Sequence, residues 1–325
     1  MIPVNPLWQP NTLLGCIPEL NWQQPSATPN LNQALADYRQ FYGLPRPDAC
    51  HWASHQIGYE AISGYPIAVQ QWQHTHPVGN LILVHGYYDH LGLYGSVIRF
   101  CEQQQLNLLA FDLPGHGLSG GPQAEIGDFD EYVRIFDHLF HQGKQQNPGI
   151  WYALGQSTGG AILASWLLSK RPTPGDDGPG SVALLAPLLK PVGWGLGRWL
   201  TPCIAPFRKR LKRHFRHDGN TPAFSQFLEQ SDPLQPHYLS VRWVQALARW
   251  IPKLEAHSPL VYPVFLVQGE QDKTVEWRYN VAAYQRRFPD LMTHIMPDAH
   301  HHLVNDIAIH QTEMYQWLAH RFVIR

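Results

Sequence analysis

Two pentapeptides in this chain fit the pattern Gly-x-Ser-x-Gly: Gly155-Gln156-Ser157-Thr158-Gly159 and Gly117-Leu118-Ser119-Gly120-Gly121. A serine hydroxyl becomes a useful nucleophile only when a base takes its proton. A sharp strand-to-helix turn supplies the geometry, lifting the hydroxyl above the sheet with small residues where neighbouring backbone crowds in. Context separates the two matches. Ser157 directly follows the apolar run Ile150-Trp-Tyr-Ala-Leu and opens the apolar stretch Gly160-Ala-Ile-Leu-Ala-Ser-Trp-Leu-Leu. Ser119 lies several residues beyond its strand and is followed by Pro122 and Gly127. Ser157 is the candidate nucleophile; Ser119 and the nearby His116 read as parts of a glycine-rich turn.

On such a turn the acid and then the histidine follow the serine along the chain. Asp272 closes Phe265-Leu-Val-Gln-Gly-Glu-Gln-Asp272, just past a buried strand, and is favoured over its neighbour Glu270. Three histidines, His300, His301 and His302, stand between the last strand and the last helix, and any of them fits the position. The histidine would take the serine proton, and the acid would fix its tautomer and stabilise the imidazolium. An oxyanion needs two backbone N–H donors. Thr158, after the nucleophile, and Tyr87, in the loop after His85-Gly86, are the candidates. A His-His-His run can also ligate metal, but adjacent positions do not converge on one ion without partners elsewhere. No metal and no cofactor are expected.

The elements that would carry these groups are an alternating, half-buried run at 67–72 and short apolar runs ending at or just before glycine or proline: 80–85, 106–112, 150–154, 181–186, 262–267 and 291–296. Such runs are buried parallel strands. Helical segments lie between them near 95–105, 129–141, 159–169, 277–288 and 304–322. The alternation predicts an α/β fold, a mostly parallel central sheet flanked by helices. Residues 188–258 break it and read as a helical cap. The core is then 51–187 plus 259–325. Residues 1–50, rich in Pro, Asn and Gln, form an N-terminal extension with one helix from about Asn30 to Tyr42.

Composition limits the function classes. The chain of 325 residues is 44% hydrophobic and 15% charged, with a formal net charge of −1. That suits a globular protein and gives no overall attraction to nucleic acid. Cys16, Cys50, Cys101 and Cys203 are scattered, which fits a reducing compartment rather than a disulfide framework. Prolines at 3, 6, 10 and 18 interrupt the start of the chain, so no secretory signal is expected, and no run reaches the roughly 18 apolar residues of a membrane span. The expected location is cytoplasmic, with peripheral membrane contact as an option.

The assembled motifs resemble those of the monoacylglycerol lipase and lysophospholipase branch of the α/β hydrolases, the serine aminopeptidase S33-like group. The resemblance spans about residues 55–322. It rests on Val84-His-Gly-Tyr-Tyr-Asp-His90, Phe111-Asp-Leu-Pro-Gly-His-Gly-Leu-Ser-Gly120, Gly155-Gln-Ser-Thr-Gly-Gly160, Gly269-Glu-Gln-Asp272 and Ala299-His-His-His-Leu-Val-Asn-Asp306. The family's last motif is similar to Ala-x-His-Glu-Leu-x-Asn-Glu, and its register selects His301 as the catalytic histidine. The chain departs from the family at Gln156 and Thr158 (usually His and Met), at Tyr87 and Tyr88 (usually small) and at His302 (usually acidic).

The resemblance implies hydrolysis of a carboxylic ester in a single-chain lipid, a monoacylglycerol or lysophospholipid, through an acyl-enzyme. An aminopeptidase or acyltransferase of the same chemistry, and a catalytically silent binding protein, are the alternatives. Trp194, Trp199, Phe207, Trp243 and Trp250 fall in the cap segment, where they either pack the cap onto the core or, as the resemblance implies, line an acyl-chain pocket. Phe207-Arg-Lys-Arg-Leu-Lys-Arg-His-Phe-Arg216 carries six Lys and Arg residues, with Phe207, Leu211 and Phe215 spaced by four. That spacing predicts a basic helix with a narrow apolar stripe, suited either to an anionic membrane surface or to docking on the protein by the stripe with its charges solvated. Oligomeric state is not encoded in any of these patterns.

Overall fold

A computed structural model describes residues 8–23, 28–47, 50–195, 205–213 and 221–322. Its centre is an eight-stranded sheet in the order β1-β2-β4-β3-β5-β6-β9-β10. The strands are β1 (Trp52–Ile62), β2 (Tyr65–His74), β3 (Gly79–Val84), β4 (Leu106–Phe111), β5 (Trp151–Gln156), β6 (Ser181–Leu185), β9 (Val264–Gly269) and β10 (Met292–Met296). The first two form an antiparallel hairpin, and β2 also runs antiparallel to β4. From β4 to β10 every pairing is parallel. Every residue of β3, β4, β5, β6 and β9 is buried, as strands covered on both faces must be.

One core cluster packs α2 (Pro29–Tyr42), α3 (Gly95–Gln103) and α9 (Ala308–Ala319) on one face. The other packs α4 (Phe129–Gln146), α5 (Thr158–Lys170), α7 (Val241–Ala256) and α8 (Trp277–Arg287). A five-residue helix, α1 (Pro10–Leu14), precedes them. No helix among the described residues is long and apolar enough to cross a membrane.

The predicted strands and helices stand within a few residues of their expected bounds. The hairpin strand β1 was not expected. Its side chains, among them His55, Gln56, Tyr59 and Glu60, alternate poorly, and Gly58 interrupts them. The glycine is explained by a close approach: a Cβ there would stand 2.5 Å from the Leu20 Cα.

Between β6 and β9, which are neighbours in the sheet, the chain makes a long excursion. It contains α6 (Pro222–Gln230), α7 and a two-stranded pair, β7 (Arg210–Lys212) with β8 (Tyr238–Ser240). Two expectations are corrected here. The excursion is not free of strands. The basic segment is not a helix where it is described: residues 205–207 form a turn, and Arg210–Lys212 pair antiparallel with Tyr238–Ser240. Apolar residues four apart were compatible with a helix, but a strand partner distant in sequence overrides local spacing. Phe215 and Arg216 lie outside the described residues.

Candidate active site

Ser157 sits between β5 and α5 with φ 51° and ψ −111°, a backbone conformation that costs a non-glycine residue energy. The surroundings hold it there. Its N–H donates to the Leu185 carbonyl at 2.8 Å, and its own carbonyl accepts from Leu188 at 3.0 Å. The flanking glycines are required by contact. A Cβ at Gly159 would stand 2.0 Å from the Val84 carbonyl oxygen, and one at Gly155 would stand 2.5 Å from the Gly159 carbonyl carbon.

The carboxyl ends of β9 and β10 bring in the other two groups. His301 Nε2 lies 3.0 Å from Ser157 Oγ, and His301 Nδ1 lies 2.7 Å from Asp272 Oδ2. Asp272 is held by three further donors: Gln268 Nε2 at 2.9 Å, Thr274 N at 2.8 Å and Val275 N at 3.1 Å. Burial favours the neutral His301 ring, but the Asp272 carboxylate and its hydrogen bond outweigh burial and raise the ring's pKa above the ordinary value. Burial would likewise raise the Asp272 pKa, yet His301 and the other donors hold it below the usual carboxylate range. The pair therefore favours a proton on the ring and charge on the acid, which is what a base that becomes an imidazolium requires.

The other candidates face elsewhere. Glu270 pairs with Arg278 at 3.3 Å. The His300 N–H donates to Asp306 at 2.7 Å. His302 Nε2 lies 3.0 Å from Asp89 Oδ1, though off the line of a good hydrogen bond. Ser119 Oγ donates to the Asp112 carbonyl and accepts from Ala68 N, and His116 Nδ1 lies 2.9 Å from the Pro114 carbonyl. Both are turn residues.

Thr158 begins α5, and Tyr87 lies in the loop after β3, where a Cβ at Gly86 would stand 3.3 Å from Ser157 Cβ. Sequence reasoning missed the group that orients this loop. Leu113 N donates to His85 Nε2 at 2.8 Å, so that nitrogen accepts, and the network assigns the ring proton to Nδ1. Nδ1 lies 2.7 Å from the Gly86 carbonyl oxygen, which also accepts from Asp89 N at 3.1 Å. Burial pushes the His85 pKa down to about 3, so the ring stays neutral and keeps this tautomer. A peptide unit is planar and trans. Fixing the Gly86 carbonyl therefore fixes the Tyr87 N–H on the opposite side. One departure from the family pattern also has a partner. Gln156 Nε2 donates to the His301 carbonyl at 2.9 Å, tying the His301 loop to the Ser157 turn.

The aromatic candidates divide. Trp194 and Trp243 are buried in the core cluster on the α5 side, and Trp250 donates to Ser165 Oγ at 2.7 Å. Phe207 is 84% exposed, so it lines no closed pocket in this conformation. Trp199 lies outside the described residues. Among the described residues no group of His, Cys, Asp and Glu is arranged to hold a metal ion.

Comparison with known proteins adds the following. A family model described as serine aminopeptidase, S33, matches residues 75–308. A monoacylglycerol lipase of Mycolicibacterium smegmatis is 32% identical over 110 residues, 33% of this chain and 39% of that protein. Phospholipase YtpA of Bacillus subtilis is 23% identical over 235 residues, 67% of this chain and 87% of that protein. The crystal structure of a soluble variant of monoglyceride lipase from Saccharomyces cerevisiae superposes with a TM-score of 0.72 at 16% identity, covering 82% of this chain and 94% of that one. At that identity the superposition establishes the α/β-hydrolase fold.

Proposed function

The chain belongs to the serine aminopeptidase S33 family of α/β hydrolases, and from that premise we propose that it hydrolyses carboxylic esters of single-chain lipids, monoacylglycerols or lysophospholipids, with Ser157 as nucleophile, His301 as base and Asp272 as orienting acid. The observation that carries this reading is the relay from Ser157 Oγ to His301 Nε2 at 3.0 Å and from His301 Nδ1 to Asp272 at 2.7 Å. Lipases and a phospholipase among the relatives support the substrate class.

In this mechanism Ser157 Oγ attacks the ester carbonyl carbon while its proton passes to His301 Nε2. The carbonyl oxygen becomes an oxyanion that accepts from the Tyr87 and Thr158 N–H groups. Collapse breaks the bond to the alcohol, which takes the proton from His301, and leaves an acyl-Ser157 ester. Water, deprotonated by His301, then attacks the acyl carbon; collapse breaks the acyl–Oγ bond, His301 returns its proton to Ser157 Oγ, and the fatty acid is released. The segment 188–258 acts as the cap over this site. The exposed Phe207 with the exposed Arg208, Lys209, Arg210 and Lys212 supports peripheral contact with anionic membrane.

The test is labelling by a serine-reactive fluorophosphonate, with a substrate panel across acyl length and head group. Labelling that disappears in Ser157→Ala, with turnover of monoacyl lipids, is the expected result. Preferential cleavage of an aminoacyl arylamide would move the reading to an aminopeptidase. A folded protein that neither labels nor turns over would be a binding protein of the same fold.

A further inference from the structure

Three of the four residues after the His85-Gly86 turn, Tyr87, Tyr88 and His90, are gripped from the excursion between β6 and β9, by a different part of it each time. The Tyr87 ring stacks on Trp243 of α7, with centroids 3.8 Å apart and planes 18° apart. The Tyr88 ring lies under the Arg213 guanidinium, just after β7, at 3.9 Å. His90 Nε2 lies 2.9 Å from Asp232 Oδ2, in the turn after α6, and both side chains are fully buried. Neighbours brace the contacts. Tyr42 of α2 donates to the second Asp232 oxygen at 2.8 Å, and Gln235, which accepts from Arg213, donates to Asp232 at 3.2 Å. Tyr88 adopts φ 71°, left-handed for a non-glycine residue, so the loop does not hold this shape by backbone preference alone.

The core holds the loop through His85 Nδ1 and Asp89 N on the Gly86 carbonyl, through Tyr94 Oη, which accepts from Gly86 N at 3.0 Å, and through Tyr87 Oη, which donates to the Ala124 carbonyl at 2.8 Å. The excursion adds its share of the support. Tyr87 and Tyr88 are what it holds.

We infer that Asp232, Arg213 and Trp243 are positioning residues for the oxyanion loop, so that seating of the excursion on Tyr87, Tyr88 and His90 sets the catalytic rate constant rather than substrate affinity alone. This rests on the catalytic reading above, in which Tyr87 N–H is an oxyanion donor. Displacing the excursion removes its share of this support and leaves the Tyr87 N–H held from the core side alone, with more freedom to shift from the reacting carbonyl. A seated excursion and a competent oxyanion site are then one state, and a membrane or lipid that shifts the excursion changes turnover through the same contacts.

The test uses p-nitrophenyl acetate, whose two-carbon acyl group makes no demand on an acyl-chain pocket. Asp232→Asn and Arg213→Gln should lower kcat for this ester roughly tenfold or more, since one oxyanion donor is worth about 10²–10³ in kcat, while KM changes less than about twofold. Arg242→Gln, an exposed change in the same excursion, should match the parent. Should Asp232→Asn fail to fold, Tyr88→Phe and Tyr88→Ala decide the matter. Both keep a side chain at the same positive φ, and only the first keeps a ring under Arg213. Tyr88→Phe should retain the parental kcat, and Tyr88→Ala should lose it. Folded variants with unchanged kcat on the short ester, and a raised KM only for long-chain lipids, would overturn the inference and leave the catalytic reading intact. A parent protein that neither labels with fluorophosphonate nor cleaves the ester would overturn both.

Discussion

Ser157, His301 and Asp272 form a chain of contacts, Ser157 Oγ to His301 Nε2 and His301 Nδ1 to Asp272 Oδ2. Ser157→Ala and His301→Ala should each reduce ester turnover by about 10⁴-fold or more, because the members of such a relay act as a unit. Ser119→Ala and His300→Ala, measured in the same assay, should retain most activity. The pH profile follows from the direction of the His301 shift. In the proposed mechanism the reactive base is the neutral His301 ring, and its pKa is raised above the ordinary value of 6.5. kcat/KM should therefore fall on acidification with a midpoint above 6.5. A profile flat to well below that value would exclude His301 as the base. Asp272→Asn removes the charge that opposes burial, so its residual activity should show the midpoint displaced downward.

At the scale of the element, the strand-turn-helix β5–Ser157–α5 is shaped by what lies against it. Gly159 packs on the end of β3 so closely that Gly159→Ala forces either the helix or the strand to move. It should lower stability in urea by about 1–3 kcal/mol, with loss of turnover. Gly195→Ala, where an added Cβ meets nothing within 4 Å, should do neither. The loop after β3 obeys similar logic. His85 is neutral, buried and fixed in tautomer, so its contribution to the orientation of the Gly86–Tyr87 peptide should not vary with pH across the working range.

Over the whole molecule, regions distant in sequence meet at Asp232. The N-terminal helix α2, the loop after β3 and the excursion all contact it through Tyr42, His90 and its own chain. Tyr42→Phe leaves a buried carboxylate short of one donor. It should cost about 1.5–3 kcal/mol of stability, the range for hydrogen bonds to charged groups, read as a lower urea midpoint with unchanged slope. The surface carries a separate prediction. Arg208, Lys209 and Lys212 are exposed, whereas the Arg213 guanidinium is committed to Tyr88. Replacing the first three with Gln should weaken binding to anionic vesicles and leave cleavage of a short, water-soluble ester unchanged, because each cation near such a surface is worth about 1 kcal/mol. Undiminished vesicle binding by this variant would remove the basic turn from any membrane role.

The parts legible in the sequence were those governed by local rules. Buried parallel strands declare themselves as continuous apolar runs, so β3, β4, β5, β6 and β9 and the turns at their ends could be placed, and with them Ser157 and Asp272. The choice of His301 needed the register of a family motif, since His300, His301 and His302 are adjacent and chemically identical. Only folding sends them to Asp306, Asp272 and Asp89 respectively. The strand β1 was hidden because half-buried polar residues alternate weakly, and the basic segment misled because apolar spacing is blind to a strand partner far along the chain. Nothing local announces that Tyr87, Tyr88 and His90 are held by Trp243, Arg213 and Asp232. The last of these bonds, His90 to Asp232, spans 142 residues. Strands and turns follow from interactions between near neighbours in the chain, but the support of the oxyanion loop comes from packing between segments whose proximity exists only in the folded molecule.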